Sequence, residues 1–75
     1  MDYLSDLTPR ERQVFDLIAA QQLTNPQIAA ALSVSRETVK THVSRILLKL
    51  GFGTRVELRA AWLAHKDKNG HPHIN

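Results

Sequence analysis

Between Thr24 and Gly51 the chain reads as two helices of unequal length with three residues between them, and few folds are open to such a string. Thr24-Asn25-Pro26-Gln27-Ile28-Ala29-Ala30-Ala31-Leu32 has the composition of a short helix, and Ser33-Val34-Ser35 breaks it. Arg36 to Leu50 is a longer basic helix that Gly51 is suited to stop. A short helix, a tight turn and a longer helix are the outline of a helix-turn-helix, whose second helix can lie in the major groove of DNA. The rest of the chain is read as the scaffold for that pair.

Helix starts recur with one chemistry. In Thr8-Pro9-Arg10-Glu11 the Thr hydroxyl can accept from the backbone N–H three residues on while Glu11 reaches back, and Pro9 sits where a missing donor is harmless. Thr24-Asn25-Pro26-Gln27 repeats the pattern with Gln, although Pro26 disfavours helical geometry at Asn25 and leaves Asn25 as an alternative cap. Thr54-Arg55-Val56-Glu57 is a third such box, and Ser35 can cap the helix between without a box partner. The expected helices run from Pro9 to Gln21, Pro26 to Leu32, Arg36 to Leu50, and Arg55 to between His65 and Lys68. The first turns Val14, Leu17, Ile18 and Gln21 to one side with Phe15 beside them; the second turns in Ile28, Ala29 and Leu32. No segment alternates as a strand does. The expected fold is therefore all-α: a compact four-helix domain over 8–66, with an N-terminal arm (1–7) and a flexible C-terminal tail (67–75).

Charge is unevenly placed. The net is +3 over 75 residues, but residues 1–35 carry two basic and four acidic side chains while 36–75 carry eight basic and three acidic. A basic half on a small domain points to a polyanion. At 100° per residue, Val39, Val43, Ile46 and Leu50 of the third helix share a narrow arc, flanked by His42 and Leu47, and form the core face. The opposite face holds Glu37, Thr41, Ser44, Arg45 and Leu48, with Lys40 and Lys49 on its shoulders. Lys, Thr, Ser and Arg can reach base edges and phosphates. A merely solvated face is the competing reading; the preceding helix and three-residue turn argue against it. Leu48 fits neither reading. His42, beside the core arc, is read as a partly buried, hydrogen-bonded structural residue.

Leu7-Thr8-Pro9-Arg10-Glu11-Arg12-Gln13-Val14, Ile28-Ala29, Thr38-Val39-Lys40-Thr41-His42-Val43, Ile46-Leu47 and Lys49-Leu50-Gly51 together resemble the LuxR-type (GerE-type) DNA-binding domain. That family includes the output domains of many bacterial response regulators. The resemblance covers Leu7 to Trp62. It implies a third helix in the major groove, a fourth helix that often mediates dimerisation, and transcription regulation at paired half-sites. By position it assigns base contacts to Lys40, Thr41 and Ser44. It puts Ser35, Thr38, Arg45 and Lys49 at or beside backbone contacts, and Thr24, Asn25 and Gln27 where a backbone packs against phosphate. Arg45 can also pair with guanine acceptors, so it joins the base-contact set. There are departures: Leu23-Thr24 in place of Gly and Ser, Pro26 where a cation is common, Ser44 where a longer reader can be needed, and Phe52-Gly53 in a commonly polar linker. They bear on affinity and site preference, not on the fold.

The expected partners are double-stranded DNA and a second copy of the chain, with an N-terminal receiver or sensor domain in any longer parent protein. The fourth helix carries more apolar surface than three short helices need, so Val56, Leu58, Arg59, Trp62 and Leu63 are read as a dimer face, with intramolecular core as the alternative. Without cysteine, a signal-like N-terminus or an apolar run of about 20 residues, the chain is read as cytoplasmic, with no membrane partner. No nucleophile–base pair or phosphate loop is present, so neither an enzyme nor a cofactor is expected. His65, His71 and His73 lack fixed geometry and further ligands, and no metal is expected. Two alternatives stay open: a promoter binder like region 4 of a sigma factor, and a protein-binding regulator that sequesters a homologue.

Overall fold

The computed structural model describes residues 4–68, with burial defined through residue 65. Four helices follow in order: α1 (Pro9–Ala19), α2 (Asn25–Leu32), α3 (Arg36–Leu50) and α4 (Arg55–Lys68). Helix α3 packs against all three others, and α1 also packs against α4. The core is built on residues the helical spacing names, with Leu17, Leu32 and Leu50 only partly buried at its margin and Leu4 and Ala19 added to it. Val14, Phe15 and Ile18 of α1, Ile28 and Ala29 of α2, and Val39, Val43 and Ile46 of α3 are buried, joined by Leu58 of α4. Among the described residues no helix is long and apolar enough to cross a membrane.

The caps form as their residue types require. Thr8 and Glu11 exchange hydrogen bonds of 3.0 and 3.1 Å, and Thr24 and Gln27 exchange bonds of 2.9 and 3.3 Å. Thr54 and Glu57 exchange bonds of 3.3 and 3.2 Å. Thr24, not Asn25, is the cap of α2, and Asn25 is its first helical residue. The tertiary amide of Pro26 is tolerated because the first turn has no intrahelical use for that donor.

The helix ends share a second device. Gln22, Ser33 and Gly51 all have positive φ, and the residue after each turns its N–H back: Leu23 to the Leu17 carbonyl, Val34 to Ala29, Phe52 to Leu47. Left-handed residues close helices in this way, and an apolar residue next in sequence packs back on the helix it ends. Leu23, Val34 and Phe52 are packed against the core accordingly. That gives Phe52, unexpected in a polar linker, a structural role. A non-glycine residue in the left-handed region is strained by roughly 1 kcal/mol. Ser33→Gly, at φ 58, is expected to raise the urea midpoint, stabilising the domain by up to about 1 kcal/mol; an unchanged or lower midpoint would contradict that account.

Several boundaries differ from expectation. Helix α1 stops at Ala19, so Gln21 lies beyond it and is exposed rather than turned inward. Leu4 is buried and Leu7 packs on the core, so residues 4–7 belong to the folded unit and not to a free arm. Helix α4 ends at Lys68, at the far limit of the expected range, and so takes in the first two residues of the segment read as tail. The tail from 69 onward, with His71 and His73, lies outside the described residues.

Candidate nucleic-acid interface

Helix α3 is held by its first and last turns. The Ser35 hydroxyl accepts from the Thr38 N–H at 3.1 Å and pairs with the Thr38 hydroxyl at 2.9 Å. Gly51 closes the other end. With Val39, Val43 and Ile46 fixed in the core, the helix cannot rotate, and the opposite face stands in solvent. Lys40, Thr41, Ser44 and Arg45 are all exposed there, as are Ser35 and Thr38 at its start. Thr41 donates its hydroxyl back to the Glu37 carbonyl at 3.1 Å, which leaves its methyl as the outward group.

The start of α2 lies differently from what its sequence implies. Thr24 and Gln27 are exposed, but their side chains are engaged in the cap. Asn25 is half-buried, and its Oδ1 accepts from the Arg55 guanidinium. The other Arg55 nitrogen donates to the Leu23 carbonyl at 2.5 Å. Arg55 thereby ties the first turn of α4 to the loop that opens α2, and burial lowers its pKa. Nothing in the sequence marks Arg55 for this role, because a basic residue at a helix start looks like surface.

Lys49, expected on the DNA backbone, is bound within the domain. Its Nζ lies 2.7 Å from Oε1 of Glu11, a side chain only 3% exposed. The Glu11 carboxylate is held below its ordinary value, first by the Lys49 hydrogen bond and then by the Thr8 N–H, against the upward push of burial. The pair clamps α1 to the last turn of α3. A depressed carboxylate stabilises the fold above its unfolded pKa, near 4.5, and that contribution is lost as pH falls through the lower folded value. Glu11→Gln is therefore expected to be less stable than the parent at pH 7 by about 1–2 kcal/mol, with the gap closing as the pH falls below about 4.5. Thermal melts of both proteins from pH 7 to pH 3 measure it, and a pH-independent gap would refute the ion-pair account.

His42 is half-buried as expected, but its Nδ1 is buried with no hydrogen-bond partner among the described residues. Among the described residues no three His, Cys, Asp or Glu side chains come together as a metal site.

The expected dimer face divides. Leu58 is 0% exposed and belongs to the core, so it is not available to a second copy; its place on α4 turns it toward the other helices. Trp62 is half-buried against the same core, and Arg59 stacks on its ring at 5.8 Å while donating to the Ala19 carbonyl. Val56 and Leu63 are exposed, at 77% and 42%. With Ala60 they form one wall of an open groove of about 380 Å³, with Ile18 and Gln22 on the other.

Four packed helices, with a short capped α2, a three-residue turn and a longer α3 presenting Lys40 and Arg45 to solvent, define a helix-turn-helix domain. The family of bacterial regulatory proteins of the luxR type, GerE, matches residues 5–61, and the chain belongs to that family of DNA-binding transcription regulators. It is 43% identical over 65 residues to the nitrate/nitrite response regulator protein NarL of Escherichia coli, covering 87% of this chain and 29% of NarL. It is 45% identical over 60 residues to response regulator Rre1 of Synechocystis, covering 80% of this chain and 26% of Rre1. It is 42% identical over 71 residues to the DNA-binding transcriptional activator DevR/DosR of Mycobacterium tuberculosis, covering 95% of this chain and 31% of that protein. The chain thus spans less than a third of the length of these relatives.

Proposed function

We propose that the domain binds duplex DNA sequence-specifically by inserting α3 into the major groove, as the non-enzymatic output part of a cytoplasmic regulator of the response-regulator kind. Lys40, Thr41, Ser44 and Arg45 face the bases. Ser35 and Thr38, with the exposed start of α2 at Thr24 and Gln27, lie against the sugar–phosphate backbone. Lys49 is left out of the set because Glu11 already neutralises it. The observation that carries this reading is the exposed face of α3, fixed in place by a buried opposite face and by caps at both ends. A few base contacts of roughly 1–3 kcal/mol each give one domain little selectivity. A dimer doubles the readout, at half-sites about one helical turn apart. The exposed Val56 and Leu63 support α4 as the place where two copies meet. A receiver or sensor segment of a longer parent is the regulating partner in this reading.

The test is a mobility-shift selection from a random duplex pool at two salt concentrations. Enrichment of a two-half-site sequence is the expected result, with a steep log–log salt dependence from phosphate neutralisation. A folded domain that retains no DNA at either salt would overturn the proposal. It would favour the second reading, in which the same groove along α4 sequesters a homologue.

A further inference from the structure

The most exposed large apolar side chain among the described residues is Leu48, at 82%. The core account leaves it unexplained, because it lies on the side of α3 opposite Val39, Val43 and Ile46. On a helical wheel Leu48 falls about 20° from Thr41, inside the arc spanned by Ser44 and Arg45. Around the helix it is therefore in the middle of the face proposed for the groove; along the helix it lies two residues before the C-terminal end at Leu50. Along the axis it lies about 6 Å beyond Ser44 and about 10 Å beyond Thr41. Base pairs are spaced about 3.4 Å along the duplex axis, and a helix lying in the groove is inclined to that axis, so the advance covers about two to three base-pair steps.

The surroundings select the occupant. Lys40 and Arg45 stand exposed on the same face, and neither has a carboxylate within ion-pair distance among the described residues. An apolar tip set among cations does not match an apolar protein surface, which would strand those charges. It matches a polyanion that carries apolar groups between its charges. Duplex DNA offers one such group in the major groove, the 5-methyl of thymine, which aliphatic side chains contact.

We infer that Leu48 is a specificity-determining residue that reads a thymine methyl about two to three base pairs from the step met by Thr41. The inference rests on the groove-insertion reading above. A single methyl contact corresponds to about a fourfold change in affinity. Because Leu48 touches no buried neighbour with most of its surface, truncating it leaves the core intact.

The experiment takes the site selected by the parent chain and replaces each thymine in turn by uracil, which deletes only the methyl. The parent is expected to lose about fourfold at one thymine in each half-site. Leu48→Ala is expected to bind the thymine and uracil duplexes equally at that position, with its salt slope unchanged, because no phosphate contact has been removed. Leu48→Met, which keeps an apolar reach, retains the preference. If the selected site is bound but no uracil substitution separates the parent from Leu48→Ala, the inference falls and the DNA-binding reading stands. If no site is selected at all, both fall.

Discussion

Leu58→Ala is expected to unfold the domain or leave it barely folded. Leu58 is fully buried, the only α4 side chain among the described residues in the fully enclosed set with Phe15, Ile28, Ile46, Val14 and Val39. Truncating such a leucine removes transfer free energy and leaves a cavity, together about 3 kcal/mol and up to about 5. A single core in a chain of this size supplies only about 3–5 kcal/mol of net stability. Circular dichroism during a thermal ramp measures the loss. The contrast is Val56→Ala: Val56 is 77% exposed, and its truncation is expected to change monomer stability by less than about 0.5 kcal/mol. Concentration dependence of molar mass then separates the two residues' roles. If α4 joins two copies, Val56→Ala weakens self-association without lowering the melting temperature of the dilute domain, whereas Leu58→Ala lowers that temperature at every concentration. A Leu58→Ala protein that melts like the parent but fails to associate would return Leu58 to the surface.

This contrast also shows where a sequence stops being informative. The α3 face was legible because a helix periodic over fifteen residues fixes its own inside and outside, and Val39, Val43 and Ile46 are buried as the spacing requires. The caps were legible because Thr8, Thr24 and Thr54 act on groups three residues away, so no tertiary knowledge is needed. On α4 the apolar residues nearly encircle the helix. Periodicity then cannot say which of Leu58, Trp62 and Leu63 turns inward, because that depends on where α1 and α3 stand. The same limit hid the uses of charge. Glu11 meets Lys49 thirty-eight residues away, and Arg55 meets Asn25 thirty residues away. Nothing in the local pattern distinguishes those side chains from solvated ones. The consequence for the interface is specific. Of the cations that the resemblance brings toward DNA, Lys49 is bound internally, while Lys40 and Arg45 stand on the exposed face with no ion-pair partner among the described residues.

Those two residues carry the largest expected effect on binding. Lys40→Ala, Arg45→Ala is expected to fold as the parent does, since both side chains are exposed and neither helps cap α3. Each base contact contributes roughly 1–3 kcal/mol, so losing two in each of two half-sites weakens site binding by about a thousandfold or more. The single variants separate two ways of using a cation. A residue paired with guanine acceptors gives discrimination at one base pair, and its removal relaxes preference there. A residue neutralising a phosphate gives affinity on every sequence, and its removal flattens the log–log salt slope by about 0.9 per contact. Lys40 and Arg45 both face the bases in the reading above, so each single variant is expected to relax preference at one base pair, and a flattened salt slope would instead put that residue on a phosphate. A double variant that is folded by circular dichroism yet binds the selected site unchanged removes α3 from the groove altogether.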